Sequence, residues 1–263
     1  MSYLNQFIKK CHNNLRDNCG HEFDVARKYL DGRNISSKSI NFNCIGYCPY
    51  DEQIPDEILF YGKNISELDD KSNGFSYFIK GKIIIPIYAE FGRIVGFATR
   101  KPSSDAGNTW WNLSKPFYKG HHLFMLDKNR KNIFNSNKIY LVEGYIDAII
   151  LNQFGLKGVV GLMGTSLSPR KIGLIARYCN NVCLCLDVDK NMAGQDAQDE
   201  AIYSLKKFDF CENISIIEGL PVGEDPDVFV AKNGLDKFLK MEKILSDTEV
   251  NRIYKKVIAS IKR

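Results

Sequence analysis

The pattern of apolar and polar positions divides the chain into two parts, of which the second is the more regular. From Lys138 onward, short apolar runs predict strands, and each run is followed by an amphipathic segment that predicts a helix. The predicted strands cover 138–144, 157–162, 181–187 and 213–220, and the predicted helices cover 145–155, 167–179 and 193–208. Strands and helices that alternate in this way are typical of a parallel sheet covered by helices.

The first part of the chain has fewer regular signals. A helix is predicted over 22–31, and Ser36 or Ser37 is a suitable N-cap for a short second helix. Residues 80–100 predict two strands joined by a glycine-containing turn. This part is therefore expected to be a mixed α+β structure.

Together these patterns predict the α/β class and three segments. Residues 1–134 are expected to form the mixed N-terminal lobe, and 135–234 the parallel sheet flanked by helices. The tail, 235–263, is expected to form a short helical segment.

Composition and cysteine use restrict the class of protein. Hydrophobic residues make up 44% of the chain and charged residues 25%, as in an ordinary globular protein. The apolar runs are too short to span a bilayer and the N-terminus has no secretory signal, so a cytoplasmic location without membrane contact is expected. The eight cysteines are then expected to be reduced. None has the paired spacing of a zinc ribbon, so no structural zinc is expected.

Acidic residues follow three of the predicted strands. Glu143 ends the first strand, Asp187 and Asp189 end a later one, and the loop after the last strand holds Glu224, Asp225 and Asp227. Because ligands of open parallel sheets bind at the carboxyl ends of strands, these groups are expected to converge. Hard oxygen ligands of this kind suit Mg²⁺ or Mn²⁺, whose charge also offsets the repulsion between neighbouring carboxylates.

Each acid taken alone has an ordinary structural explanation, because acids are common in exit loops and aspartate is a good helix cap. Their joint placement at three strand ends favours a functional site. Asp147, one helical turn beyond Glu143, either supports that site or has a solvated or capping role.

The net charge of +5 is modest, but basic residues are concentrated between Lys80 and Lys119. Aromatic residues, including Trp110 and Trp111, lie among them. This mixture suits a surface for single-stranded nucleic acid. A solvated face beside a half-buried aromatic cluster explains the same composition equally well.

The order of motifs resembles the catalytic core of bacterial DnaG-type primases, which contains a Toprim domain. The resemblance covers about residues 22–235 and is carried by seven separate blocks, at 29–49, 81–100, 117–128, 141–150, 161–168, 180–189 and 220–230. It implies a DNA-directed RNA polymerase that copies single-stranded DNA into short RNA primers from ribonucleoside triphosphates. Two or more Mg²⁺ or Mn²⁺ ions are implied for each site.

The resemblance also implies residue roles. The residues implied to hold the metal ions are Glu143, Asp187, Asp189, Asp225 and Asp227. Glu143 is also implied to take the proton from the attacking 3′-hydroxyl. The basic and polar residues implied to bind DNA or nucleotide are Arg33, Lys80, Lys82, Arg100, Asn112 and Lys119, with Lys119 the most closely tied to catalysis.

The resemblance does not extend to the zinc ribbon or the helicase-binding domain of such primases. The replicative helicase is an expected partner, and either a separate zinc-ribbon protein is a further partner or initiation is relaxed. The Asn-, Ile- and Lys-rich composition favours a phage or AT-rich genome. Two other functions stay open: a Toprim nuclease, and a non-catalytic nucleic-acid-binding subunit of a replication complex.

Overall fold

The computed structural model describes residues 2–60, 74–103, 110–113, 117–187 and 193–261. The chain forms two compact units. The first comprises Met1–Ala89 and Arg93–Lys119, and the second comprises Glu90–Gly92 and Gly120–Arg263. Among the described residues, no helix is both long enough and apolar enough to cross a membrane.

The first unit is a mixed α+β structure around an antiparallel sheet. Its helices are α1 (Tyr3–Asp17), α2 (His21–Gly32), α3 (Ser37–Asn43), α4 (Asp56–Phe60) and α5 (Gly74–Tyr77). Its strands, in the order in which they pair, are β1 (Gly46–Cys48), β2 (Lys82–Tyr88), β3 (Ile94–Arg100) and β4 (Trp111–Asn112). The predicted helix over 22–31 and the predicted pair of strands over 80–100 are confirmed as α2 and as β2 with β3.

Helix α1, which the sequence pattern did not predict, packs against one face of this sheet. The sheet approaches it closely at Gly46, where an added Cβ would lie 2.5 Å from the carbonyl carbon of Cys11. Phe7 of α1 contacts Phe97 of β3, with ring centroids 5.7 Å apart. The apolar core of the first unit therefore lies between α1 and the sheet.

The second unit contains a five-stranded sheet with helices. Its helices are α6 (Leu126–Ser136), α7 (Tyr145–Gln153), α8 (Pro169–Ile175), α9 (Ala193–Phe208), α10 (Pro226–Asn233), α11 (Leu235–Leu239) and α12 (Asp247–Ile261). Its strands are β5 (Lys138–Val142), β6 (Val159–Gly161), β7 (Asn181–Leu184), β8 (Asn213–Ile217) and β9 (Glu242–Ile244). They pair in the order β6-β5-β7-β8-β9, and the first four are parallel as predicted.

The tail is helical in α11 and α12, as predicted, but three of the residues between these helices form a strand that was not predicted. Strand β9 pairs antiparallel with β8 and forms one edge of the sheet. Its sequence, Glu-Lys-Ile, has no alternating pattern that would reveal a strand. Tertiary contacts hold it instead, because Glu242 forms a salt bridge of 2.6 Å with Lys138 of β5.

Candidate functional site

The connections of the second sheet change direction between β5 and β7. The chain passes from β5 to β6 on one side and then crosses to β7 on the other side of β5. In open α/β sheets, ligands bind outside the carboxyl ends of the strands at such a switch point. Glu143 directly follows β5, and Asp187 lies three residues beyond the end of β7. Both acids therefore follow the carboxyl ends of the two strands that flank the switch point.

Glu143 and Asp187 are in direct contact. The backbone N–H of Asp187 donates a hydrogen bond of 3.3 Å to Oε1 of Glu143. The carbonyl oxygen of Glu143 accepts a hydrogen bond of 3.1 Å from the N–H of Gly164, in the loop after β6. Both acids are half-buried. The structure thus holds Glu143 by its main chain and by its carboxylate.

Asp147 is buried one turn into α7, so the solvated alternative for this residue is wrong. Its Oδ2 accepts a hydrogen bond of 3.1 Å from the N–H of Gly144, the N-cap of the helix. An added Cβ at Gly144 would lie 2.5 Å from that same oxygen. The position before the helix therefore requires a glycine if Asp147 is to stay where it is.

Three carboxylates meet where α7 packs on α10. Asp225 is the N-cap of α10 and Asp227 lies in its first turn, where it is 4% exposed. The pKa of Asp147 is raised to about 7, first by burial and then by the negative charges of Asp227 and Asp225. Hydrogen bonds from the backbone N–H groups of Gly144 and Asp227 act in the opposite direction. The sequence suggested the two acids of the loop, and the structure adds Asp147 to them.

The acids thus form two groups, Glu143 with Asp187 and Asp147 with Asp225 and Asp227, which are together named here the acid rim. Carboxylate oxygens are the ligands that Mg²⁺ and Mn²⁺ prefer, and the crowded negative charge around Asp147 is what a divalent cation offsets. The residue types therefore fit such an ion. Within the part of the chain that the structure describes, no three His, Cys, Asp or Glu side chains already form a metal cage.

Two other acids of the sequence prediction are not included in this set. Asp189 lies outside the described residues. Glu224 forms an ion pair of 2.5 Å with Lys232, so its charge is already balanced within α10 and its preceding loop.

Lys171 is a buried residue of the second unit that the sequence reasoning missed. It is 1% exposed, and its Nζ donates hydrogen bonds of 2.6 Å to the carbonyl of Leu162 and 3.0 Å to that of Ser166. These carbonyls belong to the loop after β6, whose Gly164 holds the main chain of Glu143. Helical spacing contained the signal, because residues 171 and 175 lie on one face of α8 and Ile175 is an obvious core residue.

The predicted basic residues lie in the first unit, and the register of its sheet separates them into two groups. Arg100 of β3 lies directly opposite Ile83 of β2, so the two side chains share a face of the sheet. Lys82, the residue before Ile83, lies directly opposite Cys48 of β1. Successive residues of a strand point to opposite faces, so Lys82 and Arg100 belong to opposite faces of the sheet. Asn112 pairs with Ala98, which puts it on the face of Arg100.

Aromatic rings accompany both groups. The guanidinium of Arg100 lies 5.8 Å from the ring centroid of Tyr29 and 5.7 Å from that of Trp110. Arg33 follows one turn after Tyr29, at the C-cap of α2. On the other face, Lys82 lies over the rings of Tyr77 and Phe78. Basic and aromatic side chains are therefore in direct contact. The alternative, a solvated basic face beside a half-buried aromatic cluster, does not require such contacts.

Lys80 and Lys119 are placed differently. Lys80 is half-buried in the turn before β2, where its N–H donates to the carbonyl of Ser76. Lys119 is exposed at the start of a 3₁₀ turn, Lys119–His121.

Comparison with known proteins gives the family. A model described as the N-terminal domain of the DNA primase catalytic core matches residues 11–130, and a Toprim-like model matches residues 140–230. The DNA primase of Clostridium acetobutylicum is 31% identical over 247 residues, which cover 88% of this chain and 40% of that protein. The chain thus spans about 40% of the length of that curated relative.

Solved structures give the same assignment. The E. coli primase catalytic core is 25% identical, with a TM-score of 0.76 over 97% of this chain and 83% of that one. A DnaG primase catalytic domain bound to single-stranded DNA is 25% identical, with a TM-score of 0.67 over 90% of this chain and 80% of that one. The chain belongs to the family of DnaG-type primase catalytic cores, in which the N-terminal domain of the core is followed by a Toprim-like domain.

Proposed function

We propose that this chain is the catalytic core of a DNA primase, which synthesises short RNA primers on single-stranded DNA by metal-dependent nucleotidyl transfer. The observation that carries the proposal is the contact between Glu143 and Asp187 at the strand switch point of a chain in this family. Nucleotidyl transfer requires the attacking hydroxyl, the α-phosphorus and the leaving pyrophosphate to be in line.

The acid rim would hold the ions that this reaction needs. Glu143, Asp187, Asp225 and Asp227, with Asp189 from outside the described residues, are the proposed ligands of Mg²⁺ or Mn²⁺. Two such ions would offset the charge that develops on the attacking and leaving oxygens. We assign Glu143 a second role, to accept the proton of the attacking 3′-hydroxyl. Asp147 is a positioning residue. It accepts hydrogen bonds from the N–H groups of Gly144 and Asp227 and so orients the N-terminal ends of α7 and α10.

The basic residues of the first unit would bind the template and the nucleotides. Phosphate contacts from Arg33, Lys80, Lys82, Arg100 and Lys119 would give an affinity that falls with salt. Asn112 would contribute a polar contact to the nucleotide, and Lys119, which is exposed, a contact to the triphosphate. The single-stranded DNA in the structure of a related catalytic domain supports this assignment.

The replicative helicase and a protein that carries a zinc ribbon are the proposed protein partners, and the cytoplasm is the proposed location. These proposals follow from the family to which the chain belongs. The two partners are tested by adding each protein to the primer synthesis assay described next.

Primer synthesis on random single-stranded DNA, with labelled ribonucleotides and Mg²⁺ or Mn²⁺, tests the function. The wild type is expected to make short oligoribonucleotides, and Asp187→Asn to lose about a hundredfold or more of this activity. The matched control is Asp209→Asn, which alters an exposed acid at a positive φ of 50° that asparagine tolerates. This control is expected to keep full activity.

The same reactions separate the two alternatives. A Toprim nuclease would nick DNA without nucleotides, and a non-catalytic subunit would bind DNA equally well with EDTA and make no product. If the wild type gives no oligoribonucleotides even with the two partner proteins present, the proposed function is wrong.

A further inference from the structure

Three aromatic rings are packed together next to Lys82, the first residue of β2. Phe78 stacks on Trp111 of β4 with ring centroids 5.1 Å apart and an interplanar angle of 21°. Tyr77 meets Phe78 edge to face at 5.8 Å. The Nζ of Lys82 lies 5.0 Å from the centroid of Tyr77 and 5.4 Å from that of Phe78. These four residues are named here the aromatic platform.

The platform is anchored on the inside and open on the outside. Trp111 packs against the core of the first unit, and Phe78 is half-buried on top of it. Tyr77, the outermost ring, is 74% exposed. Such an arrangement holds an exposed ring in place without covering it. A fixed aromatic surface of this kind suits a planar ligand that stacks on it.

The charge near the platform indicates which planar ligand fits. The pKa of Lys82 is lowered, first by burial and then by the positive charge of Lys101, so two cations lie close together. Cations next to exposed rings match a ligand that is flat and carries negative charge. A base of single-stranded nucleic acid, with phosphates on either side, has both properties.

The platform is distinct from the other basic and aromatic group of this unit. Trp111 pairs with Thr99, so it shares the sheet face of Lys82 and not that of Arg100. The contacts of Arg100 with Tyr29 and Trp110 therefore form a second, separate group.

We propose that the aromatic platform binds single-stranded nucleic acid by stacking one unpaired base on Tyr77, with Lys82 and Lys101 contacting the phosphates beside that base. The proposal rests on the proposed primase function and identifies a place where a strand is held. The strand is either the DNA template or the RNA product, which share this chemistry.

Binding of labelled oligo-dT and oligo-rU of equal length to the full chain, measured by fluorescence anisotropy without divalent ions, tests the platform. Tyr77→Ala is expected to weaken binding about tenfold, the usual effect of losing one stacked base. Tyr77→Phe keeps the ring and is expected to bind like the wild type. The matched control is Phe134→Ala, which removes a ring that is 66% exposed in the second unit. If Tyr77→Ala loses affinity for oligo-dT alone, the strand bound by the platform is the DNA template. If it loses affinity for oligo-rU as well, the platform also binds the RNA product.

An abasic oligomer with the same sugar-phosphate chain separates stacking from charge. Wild type and Tyr77→Ala are expected to bind it equally, whereas Lys82→Gln is expected to weaken binding to oligomers with and without bases. In Tyr77→Trp, oligo-dT is expected to quench the fluorescence of the new indole. The proposal is overturned if Tyr77→Ala binds both oligomers as tightly as the wild type, or loses the same affinity for the abasic one.

The platform and the proposed function can fail separately. Primer synthesis by the wild type with unaltered binding in Tyr77→Ala overturns the platform alone. A tenfold loss of binding in Tyr77→Ala, with no primer synthesis under any condition, supports the platform and overturns the proposed function.

Discussion

The acid rim depends on a small residue beside its buried carboxylate. Any side chain at Gly144 would place a Cβ 2.5 Å from Oδ2 of Asp147, which is buried and hydrogen-bonded there. Gly144→Ala is therefore expected to displace Asp147 and to lower the free energy of unfolding by about 1–3 kcal/mol. Urea unfolding measures the change.

Gly173→Ala provides the control for that substitution. Gly173 lies within α8, and an added Cβ there would meet nothing within 4 Å. Alanine is the better helix former by about 0.8–1 kcal/mol, so this variant is expected to be at least as stable as the wild type. Equal stabilities for the two alanine variants would contradict the close contact at Gly144.

Lys171 is a second buried residue whose loss should be measurable. Lys171→Met leaves the carbonyls of Leu162 and Ser166 without their Nζ donor, which is expected to cost about 1–3 kcal/mol of unfolding free energy. Lys171→Gln retains a donor and is expected to recover part of the loss. Lys131→Met, at an exposed position of α6, is expected to change little. Equal stability of the two methionine variants would contradict this role.

At the residue scale, the sequence predicted the acids that follow strands, but it left the role of Asp147 open and missed Lys171, because the importance of both comes from burial. Glu143 and Asp187 were found because each ends an apolar run, and the carboxyl ends of parallel strands share an edge. Asp147 and Lys171 are polar residues within helices. Their burial depends on packing between elements distant in the sequence, which the local pattern does not contain.

At the scale of elements, the C-terminal helix has a defined start. The N–H and hydroxyl of Ser246 donate to Oε2 of Glu249 at 2.9 and 2.8 Å, and the N–H of Glu249 donates back to Ser246 Oγ at 3.3 Å. This is a capping box before α12. Ser246→Ala is expected to cost about 1 kcal/mol of unfolding free energy, measured with urea. Val257→Ala, in the buried face of the same helix, is expected to cost more. A larger effect at Ser246 would contradict this ranking.

The capping box also predicts a dependence on pH. Hydrogen bonds from the N–H and hydroxyl of Ser246, together with Lys243, lower the pKa of Glu249 from 4.5 to about 2. A carboxylate with a lowered folded-state pKa stabilises the fold above its unfolded value, and this contribution is lost as the pH falls through the folded one. The stability difference between wild type and Glu249→Gln is therefore expected to be full above pH 4.5 and to shrink as the pH falls towards 2.

Unfolding curves at several pH values measure this difference. Glu200→Gln, at an exposed position in α9, is the control for the loss of one surface carboxylate. A constant difference between wild type and Glu249→Gln over that interval would contradict the capping box.

Most elements with a strong local pattern were predicted, whereas short elements held by tertiary contacts were not. Helix α9 lies in a long amphipathic segment and strand β7 in a continuous apolar run, so the type of each was evident. Helix α1 was missed although its buried residues recur at helical spacing. Strand β9 is three residues long and is held by β8 and by the salt bridge between Glu242 and Lys138. No local signal distinguishes such a segment from a helical tail.

At the scale of the whole molecule, each compact unit has its own core. The core of the second unit includes Leu126 and Ile133 of α6 and Val250 of α12. A fragment of residues 120–263 is therefore expected to fold and to unfold cooperatively, as measured by circular dichroism. A fragment of residues 135–234, the domain limits predicted from the sequence, lacks these side chains and is expected to be less stable. Equal stability of the two fragments would favour the narrower limits.

The proposed function requires above all that the acid rim binds a divalent cation. Mn²⁺ binding, measured by electron paramagnetic resonance with a non-hydrolysable ribonucleoside triphosphate, tests this claim without any need for turnover. Glu143→Gln and Asp187→Asn are each expected to weaken Mn²⁺ binding at least about tenfold, whereas Asp209→Asn is expected to bind Mn²⁺ like the wild type. Wild-type affinity in both rim variants would contradict the account.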